Sequence, residues 1–144
     1  MPLLGGRWCY LATWRDCCSR RVVGWHLAAQ LPTELVLTTL EQALTLRQPA
    51  PGWIVHADRG SQYTSAACRA HPEAAGPSFS RPGNPSDNAQ AAAGWSTLKT
   101  ELLPGDSPFA ALEEARLEVA HYLDCYFNLD RRHSALGCHS PQAI

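Results

Sequence analysis

Apolar and polar positions follow several distinct rhythms along this chain, and each rhythm predicts an element. Trp8 to Trp14 and Arg21 to Leu27 are rich in aromatic and β-branched residues and are separated by the polar stretch Arg15 to Arg20. Such residues suit a pleated, half-buried surface, so the two runs predict antiparallel strands joined by a wide loop. Ahead of them, Gly5-Gly6 signals a hairpin turn. After Pro32-Thr33, the residues Val36, Leu37, Leu40, Ala43 and Leu44 recur at helical spacing as far as Arg47, which predicts an amphipathic helix. Pro49 and Pro51-Gly52 end it, and Trp53 to Ala57 is a short apolar run of the kind that forms a buried strand, closed by Asp58-Arg59-Gly60-Ser61.

Further on, a second helix is expected over Thr64 to Ala70. Pro72, Gly76, Pro77, Pro82, Gly83 and Pro85 then predict a loop around Ser78-Phe79-Ser80. Asp87 and Gln90 stand at the capping-box spacing, so the next helix is expected to start there and run to Leu102, weakened midway by Gly94. Past Pro104 and Pro108, the residues Leu112, Ala115, Val119, Tyr122, Leu123 and Tyr126 place one apolar stripe on a long helix ending near Asn128. Two strands, a helix, a strand and further helices, without internal repeats, predict an α/β domain in which helices cover a small mixed sheet.

Composition narrows the class. The 144 residues are 45% apolar and 17% charged, the proportions of one folded domain rather than of a disordered or fibrous chain. A formal net charge of −1 removes any global electrostatic argument for nucleic acid, so DNA contact has to come from local patches. Of the twelve basic residues only Lys99 is a lysine. Arginine suits bidentate contact with phosphate. The six cysteines, Cys9, Cys17, Cys18, Cys68, Cys125 and Cys138, follow no signal peptide and form no CxxC pair, so reduced and mostly buried thiols are expected. The longest apolar stretch, Leu35 to Leu46, is interrupted by Thr38, Thr39, Glu41 and Gln42. It is too short and polar to span a bilayer, which makes a cytoplasmic protein without a membrane partner the expectation. The six histidines show no zinc-finger spacing with the cysteines.

Five blocks then carry more specific information. They are Asp16 to Trp25, His56-Ala57-Asp58-Arg59-Gly60-Ser61-Gln62-Tyr63, Ser80 to Ala89, Thr97 to Leu102, and Tyr126 to Gly137 followed by Ser140-Pro141. In this order they resemble the integrase-like cores of insertion-sequence transposases, relatives of the retroviral integrases. The resemblance covers nearly the whole chain, residues 1–144, as one integrase-like catalytic core domain.

The resemblance implies a ribonuclease-H-like α/β fold, a mixed sheet flanked by helices. It places the first strand, with the first catalytic aspartate, upstream of Met1, so that the core is N-terminally truncated and its first strand missing. It also implies phosphoryl transfer on DNA with Mg²⁺ or Mn²⁺ held by two aspartates and a glutamate, since two hard cations must ionise the attacking oxygen and stabilise the leaving one. Asp58 aligns with the second aspartate. The glutamate position, five residues after the Asp87-Asn88 pair, is Ala92; 33 residues separate Asp58 from Ala92, slightly fewer than in the family, which places a short deletion near His71 to Pro77. Glu101 lies two and a half helical turns beyond Ala92, about 3.6 residues to the turn, and faces away. Asp87 is expected to cap its helix, and Asp16 matches a position outside the triad. Arg15, Arg20, Arg21, Lys99, Arg131 and Arg132 are the expected phosphate contacts to transposon ends and target DNA.

The functional expectation is therefore a transposase core for DNA strand transfer, in a copy that has lost two carboxylates and with them catalysis. It would work beside further copies or an intact transposase. A misplaced start codon accounts for the absent aspartate but not for Ala92. A non-catalytic DNA-binding or subunit-interaction module is the alternative.

Overall fold

Strands and helices form largely where the patterning places them in this computed structural model, which describes residues 1–58, 78–103, 105 and 107–144 and the backbone of 74–77. The expected second helix at Thr64 to Ala70 lies outside the described residues, and so does part of the expected deletion at His71 to Pro77. Strands β1 (Pro2–Leu3) and β2 (Arg7–Trp8) pair across a turn in which Gly5 and Gly6 both adopt positive φ. β3 (Tyr10–Arg15) and β4 (Val22–Ala28) form the antiparallel hairpin, with a bulge between Trp14 and Arg15. Its wide loop is held by Asp16, whose carboxylate accepts the Cys18 backbone N–H at 2.9 Å and the Ser19 hydroxyl at 3.0 Å and pairs with Arg47.

Helix α1 (Thr33–Arg47) lies across this hairpin with Val36, Thr39, Leu40 and Ala43 buried. Gly24 on β4 makes the approach possible, because a Cβ there would stand 2.3 Å from the Thr39 carbonyl oxygen. The Trp14 indole N–H, beneath the helix, donates to Thr39 Oγ1 at 3.2 Å. β5 (Trp53–Ala57) forms where the apolar run predicts and pairs in parallel with β6 (Ala74–Phe79), but the expectation of a buried strand is corrected: only Ala57 is buried, and Ile54 and His56 are exposed. Here the expectation of a loop around Ser78 is corrected: pairing with β5 overrides the turn propensity of Gly76 and Pro77. The α/β class is as expected, but the sheet is not continuous. Among the described residues the six strands form three separate two-stranded ladders, and none joins β3 to β5.

The third block is helical. A 3-10 turn, Pro85–Asn88, leads into α2 (Ala89–Leu102), and α3 (Leu112–Ala120) continues into a π-helical stretch, His121–Asp130. The capping-box expectation fails, because Asp87 is turned to Arg81 and Asn88, which stands at the N-cap, makes no side-chain cap. The stripe on the last helix is corrected as well. In a π-helix the hydrogen bonds run from i to i+5 and each turn is wider than the α-helix's, so Tyr122 is followed inward by Phe127 and Leu123 by Asn128, while Tyr126 is 41% exposed. Leu11, Leu27, Leu98, Val119, Leu123 and Phe127 meet in the main core. Of the five described cysteines only Cys9 is buried. The expectation of mostly buried thiols is corrected, since Cys17 and Cys18 lie in the hairpin loop and Cys138 in a turn at φ 63°.

Asn128 is one of few buried polar side chains, and it treats β4 as a neighbouring strand would. Its Oδ1 accepts the Val22 N–H at 2.9 Å and its Nδ2 donates to the Val22 carbonyl at 2.9 Å. Replacing Asn128 by Ala leaves two backbone groups buried without partners and should cost about 3 kcal/mol, at 1–3 kcal/mol per orphaned group. The urea-unfolding midpoint reads this loss. Asn128→Asp, which keeps the acceptor but not the donor, should fall between the two.

Candidate functional site

Three consecutive residues of β3, Thr13-Trp14-Arg15, and His56-Ala57-Asp58 at the end of β5 line one cleft of about 480 Å³. Successive strand residues face opposite sides. A cleft that touches three in a row therefore meets each strand along its edge. The 3-10 turn and the first turns of α2 close it, through Ser86, Asp87, Asn88, Gln90, Ala91 and Gly94, with Trp95, Leu98 and Leu123 behind them.

Arg15 comes from the end of β3 and lodges its guanidinium against α2. Nη1 donates to the Gln90 carbonyl at 3.3 Å, and the guanidinium carbon stands 5.1 Å from the centre of the Phe127 ring. Gly94 makes the room. A Cβ there would lie 2.2 Å from Arg15 Nη2, so the glycine that reads as a weak point in the helix is the seat of a half-buried cation. Burial first, and then the neighbouring Arg20, lowers the Arg15 pKa.

Asp58, directly after the last residue of β5, is exposed and lines the mouth of the cleft. Asp87 reaches the same cleft, but its carboxylate is engaged. Arg81 donates to Oδ2 from Nε at 2.8 Å and from its backbone N–H at 2.9 Å, and to Oδ1 from Nη2 at 2.9 Å. The guanidinium bonds and then the backbone bond hold the Asp87 carboxyl far below the ordinary carboxylate range. Ala92 is exposed on α2 and is not among the residues lining the cleft. This donor set does not fit a pair of divalent cations: both oxygens of Asp87 are bonded to Arg81, and position 92 offers a methyl group. Among the described residues no group of three or more His, Cys, Asp or Glu is placed to hold a metal ion.

The basic residues divide. Lys99 and Arg132 are exposed, and Arg20 sits in the hairpin loop at φ 64°. Arg21 is half-buried, with Nε enclosed and lacking a hydrogen-bond partner. Arg131 is tied inward: Nε bonds the Glu101 carboxylate at 2.9 and 3.0 Å, and its guanidinium carbon lies 5.8 Å from the Phe127 ring centre. The Tyr122 hydroxyl donates to the same carboxylate at 2.7 Å. Burial and then that bond raise the Tyr122 pKa, so it stays a donor throughout the neutral range. Burial pushes Glu101 up, and the bonds from Arg131 and Tyr122 more than reverse it. His133 packs edge-on to Phe127 at 4.9 Å, and burial, with Arg131 and Arg15 nearby, lowers its pKa. It belongs to a structural turn, in which its N–H donates to the His139 carbonyl.

Sequence reading missed the burial of Arg15 and the Arg81–Asp87 clamp. The only signal for the clamp was opposite charges flanking the turn-forming run Pro82-Gly83-Asn84-Pro85.

A family model described as an integrase core domain matches residues 1–85, and a second with the same description matches residues 74–141. The transposase for insertion sequence element IS904 of Lactococcus lactis is 41% identical over 92% of this chain and 53% of its own length. An insertion element IS600 uncharacterized 31 kDa protein of Shigella sonnei is 38% identical over 95% of this chain and 51% of its own. The transposase InsF for insertion sequence IS3A of Escherichia coli is 36% identical over 94% and 47%. The chain spans about half the length of these curated relatives. No helix among the described residues is long and apolar enough to cross a membrane.

Two outcomes follow from this geometry. Gly94→Ala should drive Arg15 out of its seat, seen as loss of the ring-current shift that Phe127 imposes on the Arg15 side chain in NMR spectra. Glu101 has a folded pKa below its ordinary 4.5, so its contribution is complete above that value and is lost as pH falls through the lower, folded value. Glu101→Gln should flatten the decline of stability in that acid window and leave the slope at neutral pH unchanged, as urea unfolding against pH can measure.

Proposed function

Since this chain belongs to the integrase core domain family, in company with insertion-sequence transposases, we propose that it is a DNA-handling transposase core that no longer performs strand transfer. The cleft carries the proposal: Asp58 and Asp87 line it, but both oxygens of Asp87 are bonded to Arg81, and position 92, outside the lining, offers a methyl group. In this reading Asp58 is the remaining triad member and Ala92 stands where the glutamate was. The fold in this reading is ribonuclease-H-like, and the family's strand with the first aspartate would lie between β3 and β5. The separation of the ladders supports that arrangement, since the cleft runs between the edges of those two strands.

Contact with transposon ends or target DNA falls to Arg20, Arg21, Lys99 and Arg132, which give phosphate contacts without base readout. Arg131 serves the same surface by fixing the segment that presents Arg132. A second reading, a module that joins copies of itself or an intact transposase, draws support from the ladders. Among the described residues each has two strands, and unpaired edges are templates for added strands.

The experiment is a joining assay on duplex DNA carrying the element's ends, with Mg²⁺ or Mn²⁺. The chain as it stands should give no joined product, and Ala92→Glu alone should not restore any. Product that Asp58→Asn abolishes would overturn the proposal. Binding to the same duplex, followed by fluorescence anisotropy, should fall steeply with salt and be insensitive to sequence. Lys99→Ala and Arg132→Ala should each reduce the slope of log K against log salt by about 0.9.

A further inference from the structure

One face of the β5–β6 ladder carries a hydrogen-bonded set that neither the carboxylates nor the phosphate contacts account for. His56 is paired in register with Ser78. Its Nδ1 lies 2.9 Å from Ser78 Oγ, and its Nε2 lies 3.4 Å from Ser80 Oγ. Residues two apart on a strand share a face. The two serines therefore hold the imidazole from one strand, and Asp58 follows His56 on the same side of the other. A neutral imidazole has one N–H and one bare nitrogen, and a serine hydroxyl can both donate and accept. Either tautomer is satisfied at both ends.

The connection does not stop at the ladder. Ser80 is buried and its N–H donates to the Ala57 carbonyl at 3.1 Å, which fixes the residue next to Asp58. Arg81 follows directly and grips Asp87 through three bonds, two from its guanidinium and one from its backbone. Asp87 lies in the 3-10 turn that runs without a break into α2. Hydrogen bonds from the end of β5 to Ser78 and Ser80, and from Arg81, the next residue in the chain, to Asp87, thus lead to the turn that opens α2.

We propose that His56, Ser78 and Ser80, continued by Arg81 and Asp87, are positioning residues that set the Asp58 end of β5 against the start of α2. The proposal rests on the integrase-core reading for its purpose, because that reading makes these two elements the carriers of carboxylate positions. Its chemistry stands on the hydrogen bonds. A ring held at both nitrogens by a neighbouring strand resists both a register slip and a swing of the strand end. A guanidinium bonded to both carboxylate oxygens fixes orientation as well as distance.

Amide hydrogen exchange on the whole chain tests it without DNA or metal. His56→Phe keeps a ring but no hydrogen bonds. It should speed exchange by about tenfold, the equivalent of 1.4 kcal/mol, at Ser80 and in the first two turns of α2, while Leu27 and Trp25 in the β3–β4 hairpin keep their rates. His56→Gln, which restores two polar ends, should recover most of the protection. Asp87→Asn should speed exchange in α2 but not at Ser80, because it breaks the connection downstream. Unchanged α2 rates in His56→Phe would overturn the proposal, as would equal acceleration in β3–β4 or failure of Gln to rescue. Joined DNA product in the assay above would sink the inactive-core reading and leave these exchange results standing. An unresponsive α2 would do the reverse.

Discussion

The pairing of the Asn128 amide with the backbone of Val22 is the constraint on which most of this structure depends. Its two bonds join residues 106 positions apart and are buried, so no water can replace them. They fix the π-helical stretch against the outer edge of β4. That in turn sets Leu123 and Phe127 in the core and brings Asp124 within 3.0 Å of the Trp25 indole nitrogen. A single side chain thereby does the work of a neighbouring strand at that edge. Its cost in an apolar setting is offset because both of its polar ends are satisfied.

Phe127, placed by this contact, becomes the floor for two guanidinium groups. Arg15 approaches from β3 and Arg131 from the far end of the π-helical stretch, at 5.1 and 5.8 Å from the ring centre. Arg131 has a carboxylate partner in Glu101, whereas among the described residues Arg15 bonds the Gln90 carbonyl and stands over the Phe127 ring, both neutral. The cleft is consequently walled by a cation at the level of α2 and by carboxylates at its mouth. Such a site is poor in the concentrated negative charge that divalent cations require. The same arrangement explains why Arg131 serves order rather than free contact with solvent ions, whereas Arg132, one residue on, is exposed.

Polar groups rather than apolar contacts organise the end of β5. Ile54 is 66% exposed and in β5 only Ala57 is buried, so packing alone sets this strand's position weakly. The serine hydroxyls on His56 and the Arg81 grip on Asp87 supply direction where hydrophobic burial, which is non-directional, cannot. Because those bonds are local to the cleft, the geometry around Asp58 can be changed with little effect on the main core.

How much of this was legible in the chain follows from the range of each interaction. Helix α1, strand β5 and the β3–β4 hairpin are local patterns of apolar spacing and turn residues, and they formed close to expectation, except that Trp8 pairs in β2 and β3 begins only at Tyr10. Five ordered motif blocks identified the family, because they preserve chemistry in sequence order. The same blocks located Asp58 at a strand end and the methyl of Ala92 on a helix. Tertiary structure alone decided that β6 pairs in parallel with β5, that the last helix widens so that Phe127 replaces Tyr126 in the core, and that Asp87 serves Arg81 instead of a helix cap. It also decided that Gly94 is a seat for Arg15. Each of these depends on a partner distant in sequence or on a contest between two partners for one group. A periodicity read along the chain records which face of an element is apolar, but not what will stand opposite it.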